Sequence, residues 1–374
     1  MSHQLAGAAP AGRKFYLDVL RALAIVSISM NHAVNRAYEN FDYAFFEFRS
    51  IPLWSSWIKV MAIVFGHIGV PLFLMISGAL LLGKQIETGE DVKRFYQHNL
   101  LPLLLTAEIW YVIMYFFLLV FHTNWGEITL GSALSGLVST VLFINQTTMD
   151  SMWYMPMILC LYLLVPYAAM IVKRVPMRLF LLPCVILYLS EMVFPTINDV
   201  FHLEYIDTSV SFSLKSSYLF SMYFLYLFPG YWVSRGGLRR VRGRYLAVGA
   251  GLIFLLCCVF QFYAYSRPAQ VVLDYDFVLL PPLAALVFEL VRRLGRHLMR
   301  FQRQITYIAK ISFAIYFVHI LIMSLLEWYF PYRGWSKPLA MLFLEMVSVS
   351  GSVIIILLAS EIPLCKKYLF MMKG

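Results

Sequence analysis

An all-α polytopic membrane protein with about ten spanning helices is what this sequence predicts. Three observations carry the expectation. Of the 374 residues, 61% are hydrophobic and only 13% are charged, whereas a soluble domain is about half apolar and a quarter charged. The apolar residues come in runs of roughly 20, the length a helix needs to cross a bilayer core. The loops between those runs alternate in basic content, as orientation in a membrane requires.

Ten runs qualify in chain order: 16–34, 61–83, 99–121, 153–172, 178–195, 217–234, 245–265, 271–291, 312–330 and 338–360. The shorter, amphipathic stretch 129–144 is expected to lie in an interface or re-enter it. One set of loops receives Arg13 and Lys14; Lys84, Lys93 and Arg94; Lys173, Arg174 and Arg178; Arg235 to Arg244; Arg292 to Lys310; and the tail lysines. The other set has only Arg36, Arg49, Lys59, Lys215, Arg267, Arg333 and Lys337. Basic loops stay in the cytoplasm, which places both termini there and makes the number of spans even. The loop 122–152, without Lys or Arg, is then external. The whole of 1–374 is read as one membrane domain with a cytoplasmic tail at 1–15, and no internal repeat is found.

The net charge of +10 would suggest nucleic acid in a soluble protein. Here the charge lies in short loops between apolar segments, so nucleic-acid binding is rejected. The five cysteines (Cys160, Cys184, Cys257, Cys258 and Cys365) lack metal-site spacing and are odd in number, so they are read as small buried apolar residues. The first apolar run carries Asp18 and Arg21 with no small-residue cleavage site after it, which argues against a cleavable signal peptide.

The chemistry concentrates in that first run. Arg21 and His32 stand eleven positions apart, a little over three turns, so they share one helix face about 16 Å apart along the axis. Ionisable groups inside a span are expensive and usually functional. A structural reading stands beside this: Arg21 pairs with Asp18 and snorkels, and His32 bonds a neighbouring helix.

The segment resembles the signature of the membrane-bound acyltransferase-3 family, an Arg followed by ten residues and a His. Three other stretches resemble the same family in order: Gly69-Val-Pro-Leu-Phe-Leu-Met-Ile-Ser-Gly78; Trp153-Tyr-Met with Leu161-Tyr-Leu-Leu-Val-Pro166; and Tyr307-Ile-Ala-Lys-Ile-Ser-Phe-Ala-Ile-Tyr-Phe-Val-His319. The resemblance implies a ten-span core and transfer of an acyl group, often acetyl, from cytoplasmic acyl-CoA to an acceptor at the outer face of a bacterial-type plasma membrane. Acceptors in the family are commonly surface glycans, peptidoglycan or related hydroxylated molecules. Acyl-CoA is then a co-substrate, with no tightly bound cofactor and no metal, and membrane lipid surrounds the chain. Members often carry Arg-x-x-Arg where the loop enters the third span; this chain has Lys93-Arg-Phe-Tyr-Gln-His-Asn-Leu-Leu-Pro102 instead. Many also have a His shortly before the fourth-span Trp, where this chain has Ser151 and Met152.

Residue chemistry agrees with what the resemblance implies. CoA is rich in phosphate, which basic groups bind as point charges or forks; Arg21, Lys84, Lys93 and Arg94 are the candidates. His32 is expected to take a proton from an acceptor hydroxyl or to accept the acyl group itself. Further candidates are His319 with Tyr316, Glu108 as a partner for Arg21, and Asp150 with Trp153, each against a structural reading as hydrogen-bonder or interface anchor. Asp274 and Asp276 are read as solvated loop acids, and Glu345 as protonated, paired or facing a wet cavity. A glycan exporter without acyl transfer, and a membrane sensor or scaffold, are the competing functions.

Overall fold

The computed structural model describes residues 14–38, 44–121, 129–142, 150–201, 222–267 and 273–372. They form α-helices joined by short 3-10 and π segments, with no strand among the described residues. The helices are α1 (Phe15–Ala37), α2 (Ala44–Ser50), α3 (Leu53–His67), α4 (Gly69–Leu81), α5 (Gly89–Phe95), α6 (Leu101–Phe121), α7 (Leu130–Val141), α8 (Tyr154–Arg174), α9 (Met177–Tyr188), α10 (Phe194–Phe201), α11 (Leu227–Ser234), α12 (Gly243–Tyr265), α13 (Leu280–Leu294), α14 (Gln302–Tyr329) and α15 (Lys337–Ala359). Seven helical runs among the described residues are long and apolar enough to cross a membrane. One of them, 280–329, comprises α13 and α14 joined by a 3-10 segment at Gly295–Phe301.

α1 is the axis of the bundle, packed on α3, α4, α13, α14 and α15. It lies parallel to α14, because Asp18 meets Thr306, His32 meets His319 and Arg36 meets Ser324. α4 and α11 approach until backbone meets backbone. A Cβ on Gly78 would collide with Leu227, and one on Gly230 with Met75, so glycine alone fits at both positions.

Several expected spans change shape. The run 61–83 begins earlier, at Leu53, and is broken at Ile68. Lys59 had set the expected start outside the membrane, yet it is fully buried inside α3. Its Nζ lies 3.1 Å from Glu47 Oε2 and 4.5 Å from the Tyr265 ring centroid, and Lys337 reaches the other Glu47 oxygen at 3.1 Å. A buried charge persists only when so paired. The run 99–121 continues a helical path from Gly89 through a π segment at Tyr96–Leu100, ahead of Pro102, which has no N–H to give the preceding turn. Of 271–291, the described residues before Leu280 are not helical. Asp274 Oδ1 accepts from the Tyr275 amide at 2.7 Å, and Pro281 and Pro282 stand at the start of α13, where proline fits a helix. Of 217–234, the described residues give a 3-10 turn at Met222–Tyr226 and the short α11.

The stretch 129–144 contains α7, which opens on a capping box between Thr129 and Ser132. It carries Leu130, Leu134 and Val138 on its exposed face. Residues 122–128 and 143–149 of the expected external loop lie outside the described residues, as does the tail 1–13. All five cysteines are free; Cys257 and Cys258 are buried, but Cys160 is exposed on α8.

Candidate active site

Polar ties hold α1 against α14, two of them at the same offset along the chain. The Thr306 hydroxyl donates to Asp18 Oδ2 at 3.1 Å, and Arg36 Nη2 donates to Ser324 Oγ at 3.4 Å, each pair separated by 288 residues. Arg36 Nε also lies 3.3 Å from Glu327. Between the ties the rings of His32 and His319 face each other, with centroids 5.4 Å apart.

The His319 side chain is wholly buried. Its Nδ1 lies 2.7 Å from the Ile315 carbonyl. A carbonyl can only accept, so Nδ1 carries the proton and Nε2 keeps its lone pair in the neutral ring. Nε2 is buried with no hydrogen-bond partner. His32 is partly exposed. The pair therefore presents the unpartnered Nε2 lone pair of His319 beside the partly exposed His32 ring.

Aromatic side chains extend the site. Tyr316 lies 6.3 Å from His319 and 5.7 Å from Tyr154. Trp153, next to Tyr154, packs 5.3 Å from Tyr275 and 5.4 Å from Tyr223. His67, in the last turn of α3, lies 5.3 Å from Tyr275. The break after it frees carbonyls that α1 satisfies: the Ser27 hydroxyl lies 2.6 Å from the Phe65 oxygen and 3.0 Å from that of Gly66. A Cβ at Gly66 would stand 2.7 Å from Asn31 Cβ, so the missing side chain lets the break sit against the residue before His32.

The other end of α1 is basic. Arg21 Nη1 lies 3.6 Å from Asp18, and the Arg21 side chain is 30% exposed. Arg21 is also within electrostatic range of Tyr162, whose hydroxyl shares a hydrogen bond with Ser77. The Tyr162 ring lies 6.1 Å from Phe95. Phe95 in turn lines a pocket of about 260 Å³ with Lys84, Gln85, Ile86, Asp91, Arg94, His98 and Asn99. Lys84 is held by Asn99 at 3.0 Å and lies 5.3 Å from the Phe95 ring centroid. The Asp91 carboxylate accepts from the Thr88 hydroxyl at 2.8 Å and from the Glu87 and Thr88 amides at 3.2 and 3.1 Å, which turns its charge to the start of α5.

Of the residues singled out in the sequence, the structure brings together His32, His319, Tyr316 and, through Tyr154, Trp153. Lys84 and Arg94 share the pocket. Lys93 does not line it; it is exposed and pairs with Glu90 at 4.0 Å. Glu108 forms no ion pair with Arg21: Glu108 Oε2 is buried without a hydrogen bond, and its electrostatic neighbour is Tyr111. The expected partnership fails because Arg21 turns to Asp18 on its own helix. The Asp150 side chain lies outside the described residues. Asp276 is not fully solvated. Burial, then the charges of Asp274, Asp199 and Glu191, push its carboxyl up to about 6. Glu345 is buried against α1 near Ser29. Sequence reasoning missed His67, Tyr154, Tyr275, Gln85, His98 and Asn99. Gly66 and Gly69 flanking a histidine within an apolar run were the available signal for His67. No group of three or more His, Cys, Asp or Glu side chains among the described residues is placed to hold a metal.

A family model described as an acyltransferase domain, that of the membrane acyltransferase-3 family, matches residues 14–359. The chain belongs to the membrane acyltransferase-3 family. The match spans the bundle from the first turn of α1 to the end of α15, so the histidine pair and the basic pocket both belong to the acyltransferase domain. No curated protein and no solved structure matches the chain.

Proposed function

We propose that this acyltransferase moves a short acyl group, acetyl in the first instance, from cytoplasmic acyl-CoA to a hydroxyl at the outer face of a bacterial-type plasma membrane. The acceptor we assign is a surface or lipid-linked glycan. The observation that supports the reading is the polarity of α1: Arg21 toward the basic pocket at one end, and His32 against His319 toward the other. In this reading the basic end is cytoplasmic. Lys84 and Arg94 hold the phosphates of CoA, with Arg21 further along the path, and Lys93 plays no direct part.

The chemistry then runs between the two ends. The acceptor oxygen attacks the thioester carbon, a C–O bond forms and the C–S bond breaks. His32 takes the hydroxyl proton and returns it to the departing thiolate. His319, with its proton fixed on Nδ1, holds a second lone pair beside it. Tyr316 packs 6.3 Å from His319 and Tyr154 5.7 Å from Tyr316, and we assign these phenols as donors to the developing oxyanion, where preorganised donors act most strongly.

Purified protein in detergent, given acetyl-CoA with water as the acceptor, should release CoA thiol above the no-enzyme rate. Absence of thiol release from well-dispersed protein, together with passage of a glycan through reconstituted vesicles, would favour an exporter.

A further inference from the structure

His67 has a place in this site that the donor chemistry leaves unused. It occupies the last turn of α3, immediately before the break at Ile68. Its Nδ1 lies 2.9 Å from the Ile63 carbonyl; the carbonyl accepts, so Nδ1 carries the proton and Nε2 is left as an acceptor. The ring is partly exposed. On one side it packs 5.3 Å from Tyr275, itself 5.3 Å from Trp153. On the other, Gly66 presses on Asn31, which brings His67 within electrostatic range of His32. Asp274 lies within the same range of His67.

We propose that His67 is an acceptor-binding residue: its Nε2 accepts a hydrogen bond from an acceptor hydroxyl and holds the molecule between His32 and the Trp153–Tyr275 rings. This rests on the acyl transfer to a hydroxyl proposed above. Three features suit the role. The tautomer is fixed by the backbone, so the lone pair is always presented. The helix break anchors the ring through Ser27 on the helix that carries His32. The neighbouring rings offer flat apolar faces on which the carbon skeleton of a polyol can rest. Water, as an acceptor, needs no such guide, so the two acceptors should respond differently to loss of the ring.

The experiment measures partition. Purified protein receives acetyl-CoA in molar glycerol, and thiol release, acetate and acetylglycerol are quantified. His67→Ala should lower the acetylglycerol share of the products roughly three- to tenfold, the value of one neutral hydrogen bond. His67→Gln, whose Oε1 can stand where Nε2 stood, should recover most of that share. An unchanged share in His67→Ala, or a wild-type protein that hydrolyses acetyl-CoA without acetylating glycerol, would overturn the proposal. Failure of the underlying reading looks different: wild type itself releases no thiol.

Discussion

The two ends of α1 are built from opposite materials. At the basic end Arg21 is loosely paired and partly exposed, and the nearby pocket is lined by Lys84, Arg94, His98 and amide side chains. At the other end His319 is sealed, its proton placed by a backbone carbonyl; rings pack around it, and the Arg36–Glu327 pair closes the contact one turn beyond His32. Yet one pair of helices, in one register, carries both. The contrast teaches a division of labour. In the proposed reaction the charged donor is bound where water still reaches, because ionic contacts there cost little desolvation. In the proposed reaction the proton moves beside the buried His319, whose backbone-fixed tautomer keeps its lone pair in one direction.

The sharpest way to break the comparison is at the dry end. His32→Ala should lower acetyl-CoA turnover about a hundred- to ten-thousand-fold, the range for a lost general base, with donor binding intact by equilibrium titration. A fall of only severalfold would make His32 a structural contact and move the chemistry to His319. An acyl group trapped on His32 would make it a nucleophile instead.

The basic end should respond in affinity rather than rate. Lys84→Ala and Arg94→Ala should each raise the Michaelis constant for acetyl-CoA roughly ten- to hundredfold, since a hydrogen bond to a charged group is worth about 1.5–3 kcal/mol. Arg21→Ala should act in the same direction. Lys93→Ala should stay within about twofold, because an exposed ion pair contributes little. Equal effects at Lys93 and Lys84 would dissolve the pocket as a donor site.

The smallest effect tests a carboxyl beside the aromatic rings. Asp276 has a folded-state pKa of about 6 against 3.8 for an ordinary aspartate, so the folded protein holds this proton more tightly than the unfolded chain does. The resulting penalty is absent below about pH 4, grows as pH rises to about 6 and is constant above that. Asp276→Asn should therefore raise the melting temperature near neutrality and leave it unchanged in acid. Equal curves at both pH values would place Asp276 in free solvent.

Much of the fold was legible because a bilayer demands long apolar runs and few residues disguise them. The exceptions are instructive. Lys59 hid the start of α3 because hydropathy counts its charge and cannot see Glu47 beside it. The break at Ile68 was invisible because Gly66 and Ser27 solve it together from two helices. Of the site, His32, His319 and Tyr316 could be found because polar groups in spans stand out, and family motifs marked them. His67 sits between apolar neighbours in the same kind of run, but its use depends on Tyr275, more than 200 residues away. Lys93 and Arg94 looked equivalent as adjacent cations, and only the turn of α5 separates them.

The offset of 288 residues between the tied positions of α1 and α14 also has a meaning in time. At about 5–20 residues per second, a ribosome reaches His319 some 15–60 s after it has made His32. Throughout that interval α1 has no α14 to complete the histidine pair, and the Thr306 and Ser324 ties are unavailable. The site is thus assembled by one of the last helices to be synthesised. Contacts of such long sequence separation form slowly, so a chain interrupted before α14 is inserted without a competent histidine pair.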